Sequence, residues 1–136
     1  MNNILFIITG SIAASRCKEI ITLLRNKEVK ISCILTKEAK KYIKISDIKK
    51  LLKNRIFTDE DEKKNKMLHI NLSRDNDMIV VCPATANSIA KFANGYGDNL
   101  ASNTLLASNK KILFVPAMNS FMSVSYTHLR AHETTS

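Results

Sequence analysis

Residues 78–88 read MIVVCPATANS, an apolar run (Met78–Cys82) that meets a proline and then gives way to small and neutral polar residues. An apolar run rich in Val and Ile, with no polar alternation, describes a strand covered on both faces, as in a parallel sheet. Proline cannot donate to a ladder, so Pro83 is expected to stop this strand. The small residues after it allow close packing on a flat ring, and Thr85, Asn87 and Ser88 bring neutral hydrogen-bonding groups to the same sheet edge.

Moving outward, Ile4–Ile8, Val29–Leu35 and Ile112–Val115 have the same strand character. Helical spacing lies between them. Residues Ile12–Asn26 place Ile20, Leu23 and Leu24 on one face, and Ile45–Leu52 and Ile89–Leu106 follow the same period. Strand alternating with helix implies βαβ units. The expected fold is a three-layer α/β domain around a parallel, Rossmann- or flavodoxin-like sheet, incomplete at its C-terminal end.

The last strand, like the Met78–Cys82 run, ends at Pro-Ala: Pro116-Ala117-Met118-Asn119. Two more strand ends carry candidate groups. The first strand runs into Thr9-Gly10-Ser11-Ile12-Ala13-Ala14-Ser15, a small-residue turn that lets backbone approach a ligand and offers helix N–H groups to a phosphate. A plain packing turn explains these residues equally well, since the three-glycine dinucleotide pattern is absent. Thr36 closes the second strand, where ligands collect in open α/β sheets; a helix N-cap is its other role, compatible with the first.

Composition narrows the function. The 136 residues are 45% hydrophobic and 24% charged, in keeping with one soluble domain. No apolar run approaches the roughly 20 residues of a membrane helix, and the first strand lacks the flanks of a signal peptide. The net charge of +9 comes from lysines mixed with acids and without interleaved aromatics, which describes a solvated surface and no nucleic-acid platform. Cys17, Cys33 and Cys82 are expected to be buried free thiols in a cytoplasmic protein. Thr58–Lys66 (TDEDEKKNK) has no apolar residue and is expected to be an exposed loop. From Ser123 onward, SVSYTHLRAHETTS loses periodicity and departs in composition. Residues 1–122 are therefore taken as the domain, and 123–136 as a non-native or disordered tail.

The stretch PATANSIAKFANGYGDNLAS followed by PAMN resembles the signature of the flavin-containing cysteine decarboxylases. That family includes phosphopantothenoylcysteine decarboxylase and the lantibiotic-peptide decarboxylases. GSIAAS, LTKEAKKYI and HINLSRDNDMIVVCPATAN fall in the family's order, so the similarity spans about residues 3 to 122. The resemblance implies FMN as cofactor, held by Gly10, Ser11, Ile12, Thr36 and the segment Pro83, Ala84, Thr85, Ala86, Asn87. It makes His69 the active-site histidine and Asn119 the residue that holds the substrate carboxylate. By its surroundings alone, between Leu68 and Ile70, His69 equally suits a structural role.

The implied reaction is decarboxylation of 4'-phosphopantothenoylcysteine to 4'-phosphopantetheine in coenzyme A biosynthesis, by a cytoplasmic homo-oligomer, a trimer or a multiple of it. Oxidation of the cysteinyl thiol to a thioaldehyde supplies the electron sink that lets carbon dioxide leave. Family members are expected to carry a flap and a proton-donating cysteine after the Pro-Ala-Met-Asn motif, and this sequence has neither there. Two alternatives share the scaffold: a flavin prenyltransferase-like enzyme, and a non-catalytic flavin-binding regulatory subunit.

Overall fold

The structure, a computed structural model, describes residues 2–25, 27–84, 86–94 and 99–116, less the side chains of Asn87, Ser88 and Lys91. Five strands, β1 (Asn2–Ile8), β2 (Val29–Leu35), β3 (Ile56–Phe57), β4 (Met78–Ala84) and β5 (Lys111–Pro116), form one sheet in the order β3-β2-β1-β4-β5. Every neighbouring pair is parallel. The expected three-layer parallel α/β fold is therefore present. The chain builds outward from β1 through β2 to β3, then returns to the other side of β1 for β4 and β5. Adjacent connections diverge at the carboxyl ends of β1 and β4, the switch point at which folds of this kind bind ligands.

Burial follows the pleat. In β1, Phe6 and Ile8 join the core under α1 (Ser15–Arg25) and α2 (Ile45–Leu52), while Leu5 and Ile7 join the core under α4 (Leu68–Asp75) and α6 (Leu100–Ala107). Both faces are dry, which is why the strand sequence shows no polar alternation. In β4, Val80 and Cys82 face the first layer, yet Ala84, two residues on, belongs to the second. A register irregularity between Val81 and Ala84 shifts the phase.

Several expectations change here. Pro83 does not end β4: the strand passes through it to Ala84, which pairs with Pro116, so β5 also includes its proline. The irregular register is what accommodates a residue without an N–H. The short edge strand β3 has only two residues and leaves no sequence period. The stretch Thr58–Lys66 is not a loop throughout, because Asp59–Lys64 forms the helix α3. On α1 the buried line is Cys17 and Ile21, with Ile20 and Leu24 packed beside it, whereas Leu23 is 67% exposed. The helical spacing of 89–106 divides into α5 (Ala86–Ala93) and α6.

The three cysteines are free and buried, as expected. Cys17 and Cys82 touch through their sulfurs at 3.1 Å, and the Cys17 thiol also reaches the Cys82 carbonyl at 3.1 Å. Hydrogen bonding to Cys82 and burial both push the Cys17 thiol far above the usual range; burial alone does so for Cys33.

Candidate functional site

The carboxyl ends of β1, β2 and β4 lie at one edge of the sheet, where parallel α/β folds bind ligands. The buried Thr9 follows β1 and donates its hydroxyl to the Pro83 carbonyl, joining β1 and β4 across the switch point. Thr36 does the same on the other side, with Oγ1 donating to the Ile8 carbonyl at 2.7 Å and accepting from the Ala39 N–H at 3.3 Å. Its hydroxyl is thus both a strand tie and a turn cap.

Gly10 is required by packing. A Cβ there would run into the Cβ and backbone of Glu38, so the turn after β1 lies flat against the turn after β2. The space opened by the missing side chain is filled by the protein itself. Ser11 caps the single 3-10 turn Ile12–Ala14 that leads into α1: its Oγ accepts from the Ala13 N–H at 3.2 Å. Ala13 and Ala14 are buried, but Ile12 is 81% exposed, an aliphatic side chain in the turn that follows β1. Across from it, Pro83 and Ala84 are buried and Ala86, the first residue of α5, is exposed. Thr85 and Asn119 lie outside the described residues, as does the side chain of Asn87.

His69 belongs to the same edge by topology. It sits in the first turn of α4, which follows α3 after β3 and leads into β4. Its side chain is 25% exposed, but Nδ1 is buried. That nitrogen lies 3.3 Å from Glu62 Oε2, within ion-pair reach, yet it makes no aligned hydrogen bond.

Glu62 comes from α3, the helix that replaces the expected loop. Thr58 and Asp61 form a reciprocal capping box, the Thr58 N–H donating to Asp61 Oδ2 at 2.8 Å. Acids fill the first turn and lysines the last, matching the helix dipole. The pattern Thr58-x-x-Asp61 was the available signal for this helix. No residue of α3 is buried. Polar bonds dock it instead: Asp59 Oδ1 accepts from the Leu100 N–H at 3.0 Å, and Asn103 Nδ2 donates to Glu62 Oε2 at 3.0 Å. Asp59, Glu62 and Asn103 were not singled out by sequence.

Among the described residues no cluster of His, Cys, Asp or Glu could hold a metal ion, and no helix is long and apolar enough to cross a membrane. The fold defines the class: a doubly wound parallel α/β protein whose strand order reverses direction between β1 and β4, with small residues and neutral hydroxyls at the carboxyl ends of those strands.

The flavoprotein family model matches residues 1–134, and the chain belongs to that family. It is 31% identical over 122 residues to the coenzyme A biosynthesis bifunctional protein of Bacillus subtilis, covering 88% of this chain and 30% of that one. It is 29% identical over 123 residues to a probable phosphopantothenoylcysteine decarboxylase of Streptococcus mutans, covering 88% of this chain and 69% of the relative. The chain thus spans less than a third of the bifunctional relative. Among solved structures, a phosphopantothenoylcysteine decarboxylase variant complexed with pantothenoylaminoethenethiol is 27% identical, with a TM-score of 0.74 over 98% of this chain and 78% of that one.

Proposed function

We propose that this chain is a flavin-dependent decarboxylase domain acting on 4'-phosphopantothenoylcysteine, with FMN as its cofactor. The observation that carries the reading is the parallel strand order, which puts the carboxyl ends of β1, β2 and β4, with Thr9, Thr36 and Pro83, at one edge of the sheet. The donor chemistry there suits FMN. The Ser11 and Ser15 hydroxyls and the backbone N–H groups entering α1 would receive the phosphate. The exposed Ile12 and the Pro83–Ala86 segment would lie against the ring, with Thr36 fixing the turn beneath it. When bound, the flavin supplies the two-electron chemistry that no side chain can.

The protein's own share is positioning and proton handling. His69, whose side chain is partly exposed, would present its imidazole to the substrate and accept the proton released as the substrate thiol is oxidised. Asn119 would hold the substrate carboxylate through neutral hydrogen bonds, a role that a charged side chain of like sign would prevent. The aliphatic Ile12 also suits burial against a second subunit, consistent with a trimer in which the cofactor lies between copies. Residues 1–122 would form the domain, with 123–136 outside it.

The test is carbon dioxide release from 4'-phosphopantothenoylcysteine by the protein extended to its natural C-terminus, alongside a peptide ending in cysteine. Decarboxylation of the small substrate with bound FMN supports the reading. Turnover of the peptide alone moves the assignment to the peptidyl-cysteine branch, and release of FAD or a nicotinamide cofactor ends it. Asn119→Asp should stop turnover with flavin retained.

A further inference from the structure

The His69 Nδ1 atom is buried and has no aligned hydrogen bond, a costly state for a polar group. Glu62 Oε2 is the acceptor beside it, at 3.3 Å. A small rotation of the ring about χ2, a soft torsion, would bring the two into line. Glu62 is itself held in place. Its side chain is only 18% exposed, and Asn103 of α6 donates to the same oxygen at 3.0 Å. One end of α3 is anchored as well, through Asp59 on the first N–H of α6. A helix with no buried residue is therefore pinned against α6 by two polar bonds, and what it delivers is a carboxylate to the buried side of the histidine.

From this geometry we infer that Glu62 is a positioning residue for His69, holding the imidazole as its Nδ1–H tautomer so that Nε2 presents its lone pair to the crevice. The inference rests on the proposed role of His69 and deepens it. The hydrogen bond made by one ring nitrogen decides which nitrogen bears the proton, and a carboxylate acceptor also fixes the ring plane. Without such an acceptor a neutral imidazole in water favours the opposite tautomer, in which Nε2 carries the proton and cannot accept another. The competing account is that Glu62 only fastens α3 to α6 through Asn103.

Long-range proton–nitrogen NMR on the histidine-labelled full chain separates the two, with the His69 signals identified by their loss in His69→Asn. The spectrum is read at a pH where the ring is neutral. The native chain is expected to show a protonated Nδ1 and a bare Nε2. Glu62→Ala should move the ring toward the Nε2–H form, whereas Asn103→Ala, which cuts the α3–α6 bond and keeps the carboxylate, should leave the native pattern. A native chain with Nε2 protonated overturns the inference without any variant. So does an equal shift in Glu62→Ala and Asn103→Ala.

In the natural-length protein, Glu62→Ala should lower kcat by about 10- to 100-fold with KM and flavin content unchanged, the size usual when the outer partner of a working histidine is lost. An unchanged kcat overturns the positioning role. The NMR result does not depend on the substrate. A native Nδ1–H tautomer with no turnover of the proposed substrate would therefore count against that substrate and leave Glu62 in its role.

Discussion

The two faces of the sheet are built from the same strands and differ in almost everything else. Under α1 and α2 the core is aliphatic and thiol-lined, with Phe6, Ile8, Cys17, Ile21, Cys33, Leu35, Ile48 and Cys82 in one buried cluster. The other face has a core of Leu5, Ile7, Ile79, Val81 and Leu100, but its helices are fastened by polar bonds at their starts. It also leaves an apolar groove of about 280 Å³ between α5, α6 and β5, lined by Ile89, Phe92, Leu105, Leu106, Ile112 and Phe114. One face is a foundation closed by dispersion and burial. The other carries His69, and there α3 is held by directional polar bonds to α6.

Breaking that division should have its largest effect at His69. His69→Asn in the natural-length protein is expected to cut decarboxylation by about 10²- to 10⁴-fold, the share usual for a general acid or base. Flavin absorbance and the unfolding midpoint should stay put, because the histidine is not part of either core. Near-normal turnover in this variant would remove His69 from the chemistry.

The opposite result is expected on the foundation face. Ile21→Ala deletes a fully buried side chain and should cost about 2–5 kcal/mol in denaturant unfolding. Leu105→Ala, beside the open groove, should cost less, since neighbours there already lack partners on one side. Equal losses at the two positions would erase the contrast between the faces.

Gly10→Ala sharpens the comparison at the point where both layers meet the crevice. The added methyl meets the Glu38 backbone, not an empty cradle, so a loss of about 1–3 kcal/mol is expected even in flavin-free protein. Weaker flavin binding at full stability would show instead that the glycine serves the ligand directly.

A smaller effect should appear at alkaline pH. Burial raises the Cys33 thiol above its ordinary 9.0, so the folded chain keeps a proton that the unfolded chain loses as pH passes that value. Stability from this source is complete below pH 9 and falls above it, by about 1.4 kcal/mol at pH 10. Cys33→Ala should flatten the alkaline limb of a stability–pH curve, and an unaltered slope would contradict the shift. The smallest expected change is none: deleting 123–136 should leave the unfolding midpoint where it was, and a clear drop would show the tail to be packed.

Much of this architecture was legible in the chain. Runs such as Val29–Leu35 and Met78–Cys82 are apolar on both sides of the pleat, and only a doubly covered parallel strand requires that. The small-residue turn at Gly10–Ser15, Thr36 and the Pro83 segment were placed at one edge by the rule that ligands gather where parallel strands end. Helix α3 was missed because period analysis looks for apolar residues and it has none buried, although its Thr58–Asp61 cap was in plain view.

By itself, then, the sequence determined four of the five strands and the layered parallel class, because burial and turn preference are local properties of a residue and its neighbours. Tertiary structure decided the rest. Gly10 answers to Glu38 in another turn, and the strand phase of Ala84 follows from a register shift against β5. Glu62 meets His69 across the break between α3 and α4, and an asparagine 41 residues further along bonds to the same carboxylate oxygen. No apolar period encodes that meeting, because the two side chains sit on different helices.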